Sequence, residues 1–161
     1  MIWKPVLFAA VLAGGSVPVS SFVGVQVRFV NPEQYTDTGS FGAMSRDETI
    51  AVFRAYFAQL GARLLAPGQN LTIEVLNIDL AGEYEPWRPN MSDVRILRDT
   101  TPPSFRLRYV LTQKGKRAQA GEDDVTDINY QMNASARSTS DRYGYEKALL
   151  ADWFRRLVGR P

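Results

Sequence analysis

Apolar residues in this chain recur with two different periods, and the order of these periods constrains the fold more than any other sequence feature. At residues 23–29 and 105–111, apolar and polar side chains alternate, which predicts strands with one buried face. Two other segments carry apolar side chains at spacings of three and four, which predicts amphipathic helices. Their stripes are Ile50, Phe53, Phe57, Leu60 and Leu64, and Leu149, Leu150, Trp153, Phe154, Leu157 and Val158. The chain therefore combines strands with two helices that each bury one face.

The first helix has clear sequence signals at both ends. Ser45, followed three residues later by Glu48, predicts a capping box at its start. Pro67 and Gly68 predict that the helix ends before them.

The strand that follows this helix changes the parity of its apolar pattern. Apolar residues occupy odd positions from 71 to 75 and even positions from 76 to 80. Such a change predicts either a β-bulge or a strand buried on both faces. Asn77 and Asp79 then continue the first apolar face, where a bulge would re-aim their side chains.

Three more strand candidates complete the pattern: a short one at 93–98, the alternating run at 105–111 and a less apolar one at 117–124. Lys114-Gly115-Lys116 predicts a hairpin turn between the last two. The order of elements predicts an α+β fold, with a mixed or antiparallel sheet of about 4–5 strands and two helices packed on one face. Arg106 and Arg108 then lie on the opposite face.

The N-terminal segment has the features of a secretory signal peptide. Lys4 is followed by an apolar run at 6–13 and by small residues as far as Ser21. The run is shorter than the about 20 apolar residues that cross a bilayer. We therefore expect residues 1–21 to be a signal peptide, and residues 22–161 to form a single soluble α+β domain without a transmembrane segment.

Two residue types are missing, which excludes several chemistries. The chain contains no histidine and no cysteine. Ser-His-Asp triads, imidazole bases, thiol nucleophiles and metal sites held by these residues are therefore excluded. Carboxylate, tyrosine or lysine chemistry and oxygen-ligand metals remain. The acidic run at 122–124 with Asp127 lacks the spacing of a calcium loop, so we expect no metal and no cofactor.

The loop at 82–88 is the first candidate site. It combines Glu83, Tyr84, Trp87 and Arg88, and aromatic side chains among charges are typical of recognition surfaces for carbohydrates or peptides. In the alternative, Trp87 folds back as a plug over the sheet edge and the glutamates are solvated. For Trp87 itself we favour the plug, with Glu83, Tyr84 and Arg88 presenting a ligand surface around it.

Four arginines form the second candidate: Arg95, Arg98, Arg106 and Arg108. Together they could hold an anionic group through bidentate hydrogen bonds, and Arg106 and Arg108 are the two that we retain as binding candidates. The alternative, which we favour, is cross-strand pairing with acids of the same sheet. These acids are Glu74, Asp93 and Asp99.

A carboxylate pair is the candidate for catalysis. Asp79 with Glu83 or Asp99 would suit glycoside hydrolysis, which needs two carboxyl groups about 5–10 Å apart. Sequence spacing does not supply that distance, so no residue is assigned a catalytic role.

Five segments, in order along nearly the whole domain, carry a family resemblance. They are VRFVNPEQYTD (27–37), LTIEVLNIDLAGEYEP (71–86), DVRILRDTTPPSFRLRYVL (93–111), GEDDVTDINY (121–130) and YEKALLADWF (145–154). On these segments the chain resembles the domain of unknown function 3016 family, a family of exported proteins of Gram-negative bacteria. The resemblance implies one domain exported to the periplasm and implies no catalytic residues, because the family has none assigned.

These observations favour a non-enzymatic periplasmic binding or envelope-assembly module whose partner is an envelope protein or polysaccharide. One alternative is a carboxylate-dependent hydrolase that acts on envelope polysaccharide, and another is a structural envelope protein without a ligand. We expect no nucleic-acid binding, because no basic stripe or recognised motif is present.

Overall fold

The computed structural model describes residues 24–37, 44–85, 87 and 94–159. The expected signal peptide at 1–21 and the candidate Arg88 lie outside these residues. Within the described ranges, no helix combines the length and the apolar character needed to span a membrane.

The described part of the chain begins with a strand and a long helix, continues with a run of five strands and ends with two helices. The strands are β1 (Gly24–Phe29), β2 (Gln69–Asp79), β3 (Glu83–Tyr84), β4 (Arg95–Ile96), β5 (Ser104–Gln113) and β6 (Gln119–Thr126). The helices are α1 (Arg46–Leu64), α2 (Ala134–Arg137) and α3 (Gly144–Val158), with short 3-10 turns at Pro32–Gln34 and Tyr130–Met132.

The main sheet has four strands in the order β1-β2-β5-β6. β1 runs parallel to β2, whereas the β2–β5 and β5–β6 pairs are antiparallel. This mixed sheet confirms the predicted α+β class. The short strands β3 and β4 pair with each other in a separate two-stranded ribbon, so the strand candidate at 93–98 does not join the main sheet.

α1 forms where the sequence predicts it. The Ser45 side chain accepts a hydrogen bond from the backbone N–H of Glu48, whose carboxylate accepts from the backbone N–H of Ser45 at 2.7 Å. The predicted stripe faces the core, where Phe53 and Phe57 are fully buried and Leu64 at the helix end is half-buried.

Both long helices pack on the same face of the sheet. On β5, Phe105 and Tyr109 point to one side, because side chains of a strand alternate between its two faces. The Phe105 ring packs edge-on against Phe53 of α1, with 5.2 Å between centroids. The Tyr109 ring packs in the same way against Trp153 of α3, with 5.9 Å between centroids. The exposed residues of β5, which include Arg106 and Arg108, alternate with these and therefore point away from the helices towards solvent.

The parity change in β2 is a β-bulge. The pairing of β2 with β5 shifts register between Val75 and Asn77. The Asn77 side chain reaches the segment after the first 3-10 turn, where its Oδ1 accepts from the backbone N–H of Thr36 at 2.9 Å. The backbone N–H of Asp37 donates to the carbonyl of Ile78 at 3.1 Å. These contacts hold Asp37 beside the end of β2.

Two segments differ from the predicted boundaries. β6 begins at Gln119 rather than Arg117, because the hairpin turn around Gly115 is followed by unpaired residues before the strand starts. The polar segment at 133–142 contains the short helix α2, whose first turn is capped by the Asn133 side chain accepting from the backbone N–H of Ala136 at 3.1 Å.

Gly61 marks a close approach of α1 to β1. A Cβ at this position would lie 2.2 Å from Cγ2 of Val25. We expect Gly61→Ala to lower the free energy of unfolding by about 1–3 kcal/mol, because overpacking outweighs the better helix propensity of alanine. Urea denaturation measures this change. In a Val25→Ala background the same substitution should be neutral or stabilising, and equal losses in both backgrounds would show that this contact is not the cause.

Candidate ligand-binding cavity

A cavity of about 290 Å³ lies where the end of β2 meets the β3–β4 ribbon, α2 and the start of α3. Its wall combines acidic, basic and aromatic side chains. Those that decide its chemistry include Asp37, Tyr84, Arg95, Arg142, Tyr145 and Glu146.

Arg95 of β4 fastens the turn that follows β2. Its Nε donates to the carbonyl of Ala81 at 2.9 Å, and its Nη2 donates to the carbonyls of Leu80, at 3.1 Å, and Gly82. The same Nη2 forms an ion pair with the Asp37 carboxylate. Because this guanidinium already donates to three carbonyls and pairs with Asp37, Arg95 stabilises the cavity wall and is not available to pair with a charged ligand.

The turn fastened by Arg95 requires glycine at position 82. Gly82 has a φ of +75°, and a Cβ there would lie 2.6 Å from the carbonyl oxygen of Ile96. The absence of a side chain therefore lets the turn approach β4 closely enough for Arg95 to reach three successive carbonyls.

Glu146, in the first turn of α3, holds the same turn. Its Oε1 accepts from the backbone N–H of Ala81 at 2.8 Å. The residue is 3% exposed, and no hydrogen-bond partner for its Oε2 lies among the described residues. Burial raises the pKa of Glu146 above its ordinary 4.5, against the opposing effect of the Ala81 N–H. The folded protein thus favours the neutral form of this carboxyl group.

This raised pKa predicts a specific pH dependence of stability. At a pH between the pKa that Glu146 has in the unfolded chain and the higher pKa that it has in the folded protein, the folded protein binds more protons than the unfolded chain. The contribution of Glu146 to the free energy of unfolding is therefore full below pH 4.5 and falls as the pH rises through the raised pKa. We expect Glu146→Gln to remove this decline, as measured by urea denaturation at a series of pH values.

Glu48 provides a control, because its pKa is shifted in the opposite direction and its effect on stability should change with pH in the opposite sense. Hydrogen bonds from the backbone and the side chain of Ser45 lower the pKa of Glu48. The stability that wild type has over Glu48→Gln should accordingly shrink as the pH falls. If the curves of wild type and Glu146→Gln run parallel from pH 4.5 to neutrality, the raised pKa of Glu146 is contradicted.

Two tyrosines are held in defined orientations at the cavity. Arg142 Nη2 donates to the Tyr84 hydroxyl at 2.9 Å, and Cζ of Arg95 lies 4.9 Å from the centroid of the Tyr84 ring. The Tyr145 ring packs edge-on against Tyr130, with 5.0 Å between centroids. The cavity therefore presents ordered aromatic surface next to cationic groups.

A family model described as Protein of unknown function (DUF3016) matches residues 23–156. The chain belongs to this family. The match spans every cavity residue from Asp37 to Glu146 and confirms the family inferred from the five sequence segments. Neither a comparison with the curated proteins nor one with the solved structures finds a significant match. The chemistry of this DUF3016 domain is therefore argued from its own geometry.

The structure separates the six candidate binding residues of the DUF3016 domain. Tyr84 lines the cavity, whereas Glu83 lines a neighbouring depression. Arg106 and Arg108 lie on the open face of the sheet. Arg88 lies outside the described residues. The candidates thus do not form one continuous site.

Trp87, the sixth candidate, is 73% exposed. The expectation that it plugs the sheet edge is wrong. The physical reason is that β3, which precedes Trp87, pairs with β4 instead of with the main sheet, so it does not lead Trp87 along that sheet's edge.

Cross-strand pairing, the favoured alternative for the arginines, is present on the open face of the sheet. Arg108 contacts Glu122 at 3.0 Å and Glu74 at 3.1 Å. Arg106 contacts Asp124 at 2.8 Å. Of these acids only Glu74 was a predicted partner, and Asp93, another predicted partner, lies outside the described residues. The other two arginines lie near the ribbon and pair with other acids, Arg95 with Asp37 and Arg98 with Glu85. The four arginines therefore do not converge on one anion site.

The carboxylates at the end of β2 lie partly together. Asp79 and Glu83 line one shallow depression of about 230 Å³, and Asp99 is not part of its lining. Burial, followed by the charge of Asp37, raises the pKa of Asp79 above its ordinary 3.8. Within the described residues, no group of three or more acidic side chains is placed to hold a metal ion.

Sequence reasoning missed Glu146, although a signal was present. Glu146 precedes Leu149 and Leu150 at spacings of three and four, so it occupies the apolar stripe of α3. A single carboxylate at such a position indicates a buried acid with a specific partner. Arg137 and Arg142 also line the cavity, but nothing in the polar segment at 133–142 distinguishes them from solvated residues.

Proposed function

We propose that this DUF3016 domain is an exported, non-enzymatic binding module of the periplasm. It holds a small envelope ligand, or the end of an envelope polysaccharide or protein chain, in the cavity beside Glu146. The observation that carries the proposal is the cavity itself. Its volume of about 290 Å³ is close to the lower end of the roughly 300–1,000 Å³ typical of ligand sites.

The wall of the cavity supports binding because it is pre-formed. Arg95 and Glu146 fasten the turn at Ala81 through hydrogen bonds of 2.9 Å and 2.8 Å. Tyr84 is held by Arg142. A site that is already ordered loses less conformational entropy when a ligand binds, which favours affinity.

The state of the acids favours binding over acid–base catalysis. Among the described lining residues, Asp37 is paired with Arg95 and Asp141 with Lys147. Glu146 is buried with one oxygen on the Ala81 N–H. Histidine and cysteine, the other common bases and nucleophiles, are missing from the chain.

Native mass spectrometry of the protein purified gently from its periplasmic extract tests the proposal. We expect a bound small molecule on wild type and its loss from Leu97→Trp, because Leu97 lines the cavity and the larger side chain obstructs it. Val94→Trp is the matched control, since Val94 is an exposed apolar residue just before β4 that does not line the cavity. Retention of the ligand by folded Leu97→Trp would place binding elsewhere.

Export is tested separately. The basic, apolar and small-residue order of residues 1–21 supports removal of a signal peptide. N-terminal sequencing of the protein from the periplasmic fraction should show a start near residue 22. Recovery of intact Met1 from the cytoplasmic fraction would overturn this part of the proposal.

A carboxylate-dependent hydrolase acting on envelope polysaccharide is the alternative function, and the depression shared by Asp79 and Glu83 favours it. A carboxyl with a raised pKa beside a second carboxylate is the arrangement such chemistry uses. The assay is release of reducing ends from purified envelope polysaccharide. Release that Asp79→Asn abolishes would support the hydrolase, whereas no release by wild type would reject it.

A further inference from the structure

Most charged side chains around the cavity neutralise one another. The Arg95 guanidinium pairs with the carboxylate of Asp37, whose backbone N–H donates to the carbonyl of Ile78 at the end of β2. The Asp141 carboxylate pairs with Lys147 of α3. These two pairs therefore add no net charge to the cavity.

Two arginines at the cavity are not neutralised in this way. Within the described residues, neither Arg137 nor Arg142 forms an ion pair with an acid. Arg142 donates to the Tyr84 hydroxyl at 2.9 Å, which orients its guanidinium at the cavity without cancelling its charge. Arg137 ends α2, and both side chains are exposed to solvent.

The remaining acid does not compensate for these arginines. Glu146 is 3% exposed, and its Oε1 is engaged by the Ala81 N–H. As a single carboxyl group, it supplies at most one negative charge against two arginines. The described part of the cavity wall thus carries an excess of positive charge, and a buried polar group without a partner on its Oε2 lies in that wall.

We propose that the cavity binds the acidic group, carboxylate or phosphate, of a ligand the size of a single sugar, with Arg137 and Arg142 as its counter-charges. This inference rests on the binding function proposed above and specifies its ligand. Guanidinium groups suit both acids, because their planar donors match two acidic oxygens at once. The volume of about 290 Å³ lies near the lower end of the range for ligand sites, which suits a ligand of this size. Tyr84 and Tyr145 provide aromatic surface for the uncharged part.

The test is titration calorimetry of the mature protein with three probes that share one frame: D-glucuronate, D-glucose 6-phosphate and D-glucose. At least one of the acids should bind about tenfold more tightly than the neutral sugar, as one charge-assisted hydrogen bond predicts. Comparing the two acids shows whether the natural group is a carboxylate or a phosphate. Because the arginines are exposed, the preference for the acidic sugar over glucose should weaken at high salt.

Variants identify the counter-charges. Arg137→Gln and Arg142→Gln should each weaken binding of the preferred acid about tenfold more than they weaken binding of glucose. For Arg142→Gln some loss of glucose affinity is also expected, because Arg142 holds Tyr84. Arg156→Gln is the matched control, because Arg156 is an exposed arginine of α3 that does not line the cavity. Melting curves of all three establish that they fold.

Three outcomes would overturn the inference: equal binding of acid and neutral sugar, no saturable binding of either acid, or acid binding that neither cavity arginine affects. None of them overturns the binding function, which depends on the ligand retained by wild type and lost from Leu97→Trp. Conversely, Leu97→Trp could keep the endogenous ligand while the acidic sugars still bind at the two arginines. That outcome would reject only the cavity as the site of the endogenous ligand.

Discussion

Phe53→Ala is expected to lower the free energy of unfolding by about 3–5 kcal/mol, the usual range for a buried phenylalanine. Phe53 is 0% exposed and joins three parts of the core. Its ring lies 5.2 Å from that of Phe105 on β5 and 5.1 Å from that of Tyr143, which also lines the cavity. Removing the ring therefore leaves a void between α1, the sheet and the cavity wall. Urea denaturation followed by tryptophan fluorescence measures the loss.

The matched control is Ile128→Ala, a truncation of an apolar side chain that is 69% exposed. Its effect should stay within about 0.5 kcal/mol, because little apolar surface is removed from a packed environment. Equal effects of the two substitutions would mean that α1 does not use this face for the core.

Arg95→Met is expected to lower the free energy of unfolding by about 3 kcal/mol, the lower end of the range for breaking a buried ion pair from one side, because this pair is partly buried. The Arg95 side chain is 14% exposed and the Asp37 side chain 29%. Methionine keeps most of the aliphatic length but leaves the Asp37 carboxylate without its partner. It also removes the donor to the Ala81 carbonyl at 2.9 Å, and with it the fastening of the turn. Urea denaturation gives the magnitude.

Arg106→Met tests whether burial is the reason. The Arg106–Asp124 pair has the same chemistry, but its side chains are 54% and 73% exposed. Because solvent screens such a pair, its loss should lower the free energy of unfolding far less than loss of the Arg95–Asp37 pair. If Arg95→Met proves no more damaging than Arg106→Met, Arg95 does not hold the turn, and the cavity wall is less rigid than the hydrogen bonds indicate.

Local sequence signals predicted the elements that depend on neighbouring residues. The capping box of α1 joins Ser45 and Glu48, three positions apart, and the apolar stripe that includes Phe53 and Phe57 recurs once per helical turn. The parity change in β2 predicted either a bulge or burial on both faces, because each strand residue faces the side opposite to its neighbours. The structure has the bulge, between Val75 and Asn77. By contrast, β3 and β4 have two residues each, too few for any period to show, so their separate ribbon was not predicted.

By itself, the sequence determined the α+β class, the family and the faces that α1 and α3 bury. It also excluded the kinds of site that need histidine or cysteine, because the chain contains neither. The tertiary structure alone decided where the cavity lies and which charges it leaves uncompensated. Its wall depends on contacts between residues far apart in the chain, 58 positions for Arg95 with Asp37 and 65 for Glu146 with Ala81. Periodicity and capping report interactions within a few residues. The partner of an arginine or a glutamate, and the burial that changes the pKa of a carboxyl group, are set by how distant segments pack together.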